Sequence, residues 1–556
     1  MRSNIALFML LILSLSFAEN YVVVNSMDGR DVLSGVFYSS VKGIPVRFMP
    51  VPGGNPDIIA AKAGQGHSIL LVESKTPVSA FVKSALEGRN NTVEVFQSSD
   101  GGATNLEFAR RSGASGFIVV DSAFSDSALS VMPYAAFKRY YVILADKNNI
   151  ADVKSIVSGK KVLIFGYVDQ AVRDALAPMS PEVIGKGEDK FEDNVLIAKR
   201  HLEESGSGRA LVVDGTFIEE SMAQPDMPVI LSGRLVPEVT YGFIKDSVRD
   251  GRLKSVMLLG NDLTAPIYDA RQKMIKEFSA EGLNRTFGIT VKFAQVIPSA
   301  GSGVLNLDTF RMPAYKPALE IKDVQYNRES GNVTLSIDNV GEGAAYYNVE
   351  LRVKADGQDV AVFGGDDIRP IERGEVAGIQ YPVDLSKVQE GNITYSLLVK
   401  YGSSKSSLEE FAKSDGGLAV ISYKDNSSVI VQSGRFDKGT LLVTIKNNGT
   451  IKAYIYPKVS LFVNGEQSNI SSSGTKAVDP GSLIVVEFPL QLSAEDLSAN
   501  RNMTVFVDYG GREGFLTKKS SFVVPLESSG EFPLLLVAAA IAVIAIAYFL
   551  FARSRK

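Results

Sequence analysis

The sequence predicts a multidomain chain: three α/β (parallel-sheet) repeat modules, then two all-β sandwiches, then one C-terminal transmembrane helix. Three observations carry that reading. A triplet of apolar runs recurs about every 93 residues in the N-terminal half, a different pattern recurs about every 108 residues in the C-terminal half, and Phe532 to Ala552 contains no charge.

The first pattern starts from a run that ends in a polar residue: Val22-Val23-Val24-Asn25, Ile118-Val119-Val120-Asp121 and Leu211-Val212-Val213-Asp214. A second run follows each (Ile44 to Phe48, Tyr141 to Leu144, Met227 to Leu231), and then a third (Ser68 to Val72, Lys161 to Gly166, Ser255 to Gly260). Near-continuous apolar runs bounded by turn residues are what strands buried on both faces look like, as in parallel sheets with helical crossovers. Helices are expected between them. One begins near Asp126, which is placed to cap it, one runs from Val168 to Leu176, and a charged one spans Ile197 to Glu204 with His201 on a solvated face.

The second pattern matches Ser336 to Gly341 with Thr444 to Gly449, Arg373-Gly374 with Pro480-Gly481, Tyr381-Pro382 with Phe488-Pro489, Asn392 to Tyr395 with Asn502 to Val505, and Tyr401-Gly402 with Tyr509-Gly510. Short alternating strands punctuated by Gly, Asn and Pro turns read as β-sandwiches.

The two ends predict an exported, anchored chain. Phe532 to Ala552, if helical, spans about 30 Å, the hydrocarbon thickness of a bilayer. The basic tail Arg553 to Lys556 then stays in the cytoplasm and the rest faces outward. Arg2, the apolar Ile5 to Phe17 and the small-x-small site Ser16-Phe17-Ala18 read as a signal peptide covering residues 1–18. With no cysteine, stability must come from cores large enough to bury apolar area. The balance of 58 Lys plus Arg against 62 Asp plus Glu argues against a nucleic-acid binder.

The order of strand, Asp-rich turn, DSALS-type helix start, VILAD, VLIFG and VIGKGEDKFEDNVLIAKRHLEE, clearest from Asp121 to Glu204, resembles the cell-wall-binding type 2 repeat of prokaryotic surface proteins, which occurs as three tandem copies. The resemblance covers about half the chain and implies noncovalent attachment to anionic wall polymer. Where that family carries an Arg and a Thr, Lys190 and Asp193 stand here. The N-x-G after a strand and the later P-G or R-G turn make both C-terminal copies similar to cell-adhesion-related Ig-like domains (CARDB-like), which imply spacer or adhesive units. The expected boundaries are signal peptide 1–18, repeats 19–112, 113–204 and 205–300, linker 301–315, Ig-like domains 316–412 and 417–526, transmembrane helix 532–552 and tail 553–556.

Candidate sites are few. Eight Asn-x-Ser/Thr sequons stand at Asn90, Asn284, Asn332, Asn392, Asn426, Asn448, Asn469 and Asn502, six of them in the two sandwiches. Ligands of open α/β sheets collect at strand carboxyl ends. There Asn25, Asp31, Asp121, Asp126, Asp214 and Glu219 form a candidate ligand surface, whose carboxylates suit hydroxyl-rich glycan or a cation better than an anionic polymer. The plainer reading is that these acids cap the following helices. Gly101-Gly102 and Gly185-Lys186-Gly187 are candidate anion cradles, with a capped turn as the plainer reading. Asp262 and Asp366-Asp367 are acids without an EF-hand spacing, so no metal or other cofactor is called for. Two His residues, no Cys and no G-x-S-x-G elbow leave catalysis without support.

The sequence thus predicts a non-enzymatic, single-pass membrane protein of the cell surface, structural or adhesive, associated with envelope glycan or a surface layer and capable of self-association. The alternative is a membrane-anchored receptor or solute-binding protein for a small extracellular ligand.

Overall fold

Three four-stranded parallel sheets, each in strand order 2-1-3-4, are built from the three apolar-run triplets and a fourth strand added to each. The structure is a computed structural model. It describes residues 19–528 apart from 50–54, 234, 293–295, 300–302, 307–308, 313–314, 366, 387, 389–391, 406–407, 438, 464–465 and 491. The expected signal peptide and membrane helix lie outside the described residues. Among those described, no helix is long and apolar enough to cross a membrane.

Repeat 1 contains β1 (Tyr21–Asn25), α1 (Gly29–Lys42), β2 (Val46–Phe48), α2 (Pro56–Ala63), β3 (Ser68–Glu73), α3 (Val82–Glu87), β4 (Thr92–Gln97) and α4 (Gly101–Ser112). Repeat 2 has the same order: β5 (Gly116–Asp121), α5 (Ser125–Lys138), β6 (Tyr140–Ala145), α6 (Ile150–Val157), β7 (Lys161–Phe165), α7 (Gln170–Leu176), β8 (Glu182–Ile184) and α8 (Lys190–Ser205). The central strands are buried throughout because helices cover both faces. Asp28 caps α1 by accepting from the Arg30 N–H at 2.9 Å, and Gly43 ends it in the left-handed region at φ 70°. The expected cap of α5 is corrected: Asp126 lies inside the first turn, and Phe124 precedes the helix without a side-chain cap.

Repeat 3 departs from the other two. After β9 (Arg209–Val213) the chain makes β10 (Phe217–Glu219) and a short 3-10 turn, Glu220–Ala223, in place of a long helix. The run Thr216-Phe217-Ile218 favours a strand, and Pro225 stops any helix before it gains a second turn. β11 (Val229–Leu231), α9 (Glu238–Arg249), β12 (Ser255–Leu259), α10 (Thr264–Ala280) and β13 (Gly288–Lys292) complete the sheet. The hairpin β14 (Val296–Ser299) and β15 (Gly303–Asn306) follows, and β16 (Thr309–Arg311) returns to pair antiparallel with β10.

One face of each sheet contributes to a core shared by all three repeats, while the other faces of repeats 1 and 3 pack into separate clusters. A single apolar cluster runs from Val22 and Val24 through Phe117 to Val120 and on to Leu211, Val213 and Phe310. α1, α5 and the 220–223 turn touch pairwise at its centre. Each of the first two repeats reaches the next through a buried Asn on its last helix. Asn105 donates to Val142 O (3.1 Å) and accepts from Leu144 N–H (2.9 Å), and Asn194 does the same with Val229 O (3.0 Å) and Leu231 N–H (2.8 Å). Repeat 3 meets repeat 1 differently, through an Arg47–Glu220 ion pair and edge-on packing of Phe48 against Phe310 at 6.3 Å.

The chain forms two compact units. One holds the repeats together with Ile337–Glu375 and Val383–Ala419, and the other holds Gln325–Ser336, Val376–Pro382 and the described residues from Val420 to Ser528, so the division crosses the expected 316–412 module. In the first unit, Ala345–Ala355 and Ile393–Gly402 form the centre of an antiparallel sheet flanked by Gln358–Gly364 and Glu410–Gly417. In the second, the two layers are joined into one wrapped sheet: Lys518–Ser528 pairs antiparallel with Asn502–Gly510 and parallel with Val429–Asp437.

The 108-residue repeat has a physical basis. Asn339 donates to Gly343 O and Ile371 O, both at 3.0 Å, and accepts from Gly341 N–H at 3.0 Å. Asn447 repeats this with Ile451 O, Val478 O and Gly449 N–H, each at 2.8 Å. The later turn docks on the same residue, as Gly374 N–H donates to Asn339 O and Gly481 N–H to Asn447 O, each at 2.9 Å.

Candidate functional site

The carboxyl ends of the strands in repeats 1 and 2 converge on a cavity of about 380 Å³. The loop after β1 supplies Asp28 and Arg30, the loop after β5 supplies Ser122 to Ser125, and the loop after β6 supplies Asp146. Tyr315, Glu342 and Arg373 complete the rim, over a floor of Leu33, Phe124, Leu144 and Met312. Parallel sheets place ligands here because the loops diverge at that end and helix N-termini point toward it.

The rim is mixed in charge. Arg30 grips Asp28 with Nε on Oδ1 (3.1 Å) and Nη2 on Oδ2 (2.7 Å). Burial pushes the Asp28 carboxyl up, but the guanidinium overrides it and holds the group below the usual carboxylate range. Ser122 Oγ donates to Asp146 Oδ2 (3.1 Å), and the Tyr315 hydroxyl reaches Gly343 O (2.6 Å). Three carboxylates against two guanidiniums, one of those already paired, suit a hydroxyl-rich ligand better than a polyanion.

The six strand-end residues picked from sequence do not form that rim. Asn25 is buried and donates to Glu73 (3.0 Å) and Ser79 O (2.8 Å), and Asp31, also buried, accepts from Ser26 (2.6 Å) and Ser98 (2.9 Å). Asp121 lies beneath the loop and accepts from Ala123 N–H at 2.9 Å. Asp214 accepts from Thr216 N–H at 2.9 Å, and buried Glu219 accepts from Ser221 N–H at 2.8 Å and pairs with Lys292. Asp126 and Asp214 are half-exposed; Asp126 lies 3.6 Å from Lys190 Nζ and is packed by the Asp214–Gly215 turn. The expectation of a shared ligand surface is therefore corrected. Turns at strand ends leave backbone N–H groups without partners, and these short acidic side chains satisfy them.

What gathers instead is a set of acids under the turn Ile371 to Glu375. Gln170 N–H donates to Glu372 Oε1 and Lys147 Nζ to Arg373 O, both at 2.8 Å, which seats the turn on the strand ends of repeat 2. Burial first, then repulsion among neighbouring carboxylates, raises Asp121 well above its usual range, with Asp146, Asp169 and Glu372 among the contributors. Burial also raises Asp169 and Glu372, and burial with the nearby Glu372 pushes Glu375 up to about 7. The sequence signal for this cluster was split: Asp121 ends a strand, whereas Glu372 and Glu375 flank the Arg373-Gly374 turn about 250 residues later.

Both candidate anion cradles are filled from within. Asp100 takes the Gly102 and Ala103 N–H groups at the start of α4, at 2.9 and 3.1 Å, and Asp28 takes Gly101 N–H at 3.2 Å. Asp193 takes Lys186 and Gly187 N–H at 3.0 and 2.9 Å, and burial pushes its carboxyl up to about 6. The solvated-face expectation for His201 is overturned. It is 1% exposed, Nε2 donates to Pro225 O at 2.8 Å, and its ring stacks on Phe137 at 5.4 Å. Burial lowers its pKa, which keeps the imidazole neutral, and the Nε2 donor fixes the tautomer with Nδ1 unprotonated. His67, half-buried, packs on the Tyr21 ring at 5.3 Å. Among the described residues, no group of three His, Asp or Glu is placed to hold a metal ion. Asp367 pairs with Arg369, Asp262 lies in the 261–263 turn, and Asp366 falls outside the described residues. All eight sequon asparagines are exposed, except Asn332, which is half-exposed.

No protein-family model and no curated protein matches the chain. Among solved structures, Cwp8 from Clostridium difficile aligns over 47% of this chain and 47% of its own, at 18% identity and TM-score 0.40. Cwp6 from Clostridium difficile aligns over 49% of this chain and 54% of its own, at 14% identity and TM-score 0.34. The chain spans about half the length of each, and its fold assignment rests on the strand orders above.

Proposed function

We propose that this is a non-enzymatic, membrane-anchored protein of the cell surface, structural or adhesive in the envelope, that holds envelope glycan through the strand-end cavity between repeats 1 and 2. The observation that carries the reading is the mixed-charge rim over an apolar floor, since carboxylates and guanidiniums bind sugar hydroxyls while apolar side chains take the C–H face of a ring. The resemblance to cell-wall-binding repeats supports an envelope location. The charge of the rim favours neutral or amino sugars over the anionic polymer that the resemblance implies. Several exposed sequons then carry glycan, which solvates the β-rich half.

A second reading, a receptor for one small extracellular ligand, draws on the size of the cavity, about 380 Å³, which suits a mono- or disaccharide. Cosedimentation of the detergent-solubilised full chain with purified native envelope separates the two. The adhesive reading expects sedimentation that neutral glycan fragments displace and polyphosphate does not. Absence of sedimentation, with tight binding of a free disaccharide, selects the receptor. Displacement by polyphosphate alone removes the glycan assignment.

A further inference from the structure

The outer face of the wrapped sheet in the second unit carries an apolar patch: Phe462 is 45% exposed, Phe506 44% and Val523 71%. Strand register places two sequons on that face. Asn469 lies opposite Ser460, Ser460 opposite Thr504, and Thr504 opposite Val523, so the four form one row. Phe462 lies opposite Gln467 and is therefore the diagonal neighbour of Asn469. Asn502 shares the face with Thr504 and Phe506 by strand alternation and lies opposite Pro525, one same-face step from Val523. In both sequons the middle residue, Ile470 or Met503, is buried in the core, and the Asn stands in solvent.

We propose that Asn469 and Asn502 both carry N-linked glycans whose first sugars lie over Phe462 and Val523 and cover that part of the patch. Phe462 is the diagonal same-face neighbour of Asn469 and Val523 that of Asn502, about 7–8 Å away and within reach of the first one or two sugar rings; Phe506 lies one further diagonal step beyond Val523. The apolar face of a sugar ring on an aromatic side chain removes both from water. In the modification, the Asn Nδ2–C1 bond forms as the C1–O bond of a lipid-phosphate-linked sugar breaks. Nδ2 loses one proton, and the lipid phosphate leaves with the bonding pair. The inference rests on the reading of the chain as exported.

Peptide mass mapping of the full chain purified from its native membranes tests it, together with Ser471→Ala and Thr504→Ala, which remove each acceptor sequence and leave both asparagines and the core unchanged. The expected result is glycosylated peptides at Asn469 and Asn502, each lost in its own variant. The double variant should bind several-fold more of a hydrophobic dye at an unchanged melting temperature. Unmodified peptides at both positions overturn the inference. If the other six sequons carry sugar, only this inference falls; if none of the eight does, the export reading falls with it. Dye binding that stays the same in a double variant that has lost both glycans overturns the covering role.

Discussion

Asn194 shows how much one side chain can do here. It is fully buried and joins repeat 2 to repeat 3 by satisfying Val229 O and Leu231 N–H on an edge strand. Asn194→Ala leaves both backbone groups buried without partners, so a loss of about 2–4 kcal/mol is expected in urea unfolding, and Asn105→Ala should behave alike. The sequence does carry this signal, since Asn105 and Asn194 each stand four residues before an Ala on a helix, yet a lone helical Asn reads as a surface residue. His201 was misread for a related reason. The charges of Lys199, Arg200, Glu203 and Glu204 surround it in sequence, but Ile197, Ala198, His201 and Leu202 occupy the buried face of α8.

At the scale of elements, all nine apolar runs became strands because continuous burial on two faces leaves a pattern that local propensity cannot imitate. The fourth strands of repeats 2 and 3 were hidden: β8 has only three residues, two of them exposed, and β13 is nowhere fully buried. Alternation also accounts for part of the sequon density. Polar-apolar-polar strands with an inward Val333, Ile393, Ile470 or Met503 supply Asn-x-Ser/Thr readily. The hairpin turn at Gly514 depends on the absence of a side chain. Its φ is 77°, and a Cβ there would lie 2.8 Å from both Gly378 N and Val376 O in the neighbouring strand. Gly514→Ala should therefore destabilise the second unit by roughly 1–3 kcal/mol, with Glu513→Ala near neutral, as measured by denaturant midpoint.

For the molecule as a whole, the anchor and signal peptide remain expectations from hydropathy, whereas the sharing of one core by three repeats was not legible, because inter-repeat contacts leave no periodicity. The docked turn Ile371 to Glu375 has a pH signature. Its acids titrate higher when folded, so the stability they confer is fully present below the ordinary carboxylate range and is lost as pH rises through about 7 for Glu375. Glu375→Gln should leave the melting temperature unchanged at pH 4 and stabilise by roughly 1–2 kcal/mol at pH 8. An equal effect at both pH values would show that the turn is not held by protonated acids. The central claim, that the strand-end cavity holds envelope glycan, is tested most directly by filling it. Ser125→Trp places an indole in the cavity beside Phe124. Calorimetric titration of the full chain with neutral envelope glycan fragments should show at least a tenfold loss of affinity at an unchanged melting temperature. Undiminished binding by that folded variant would contradict the account.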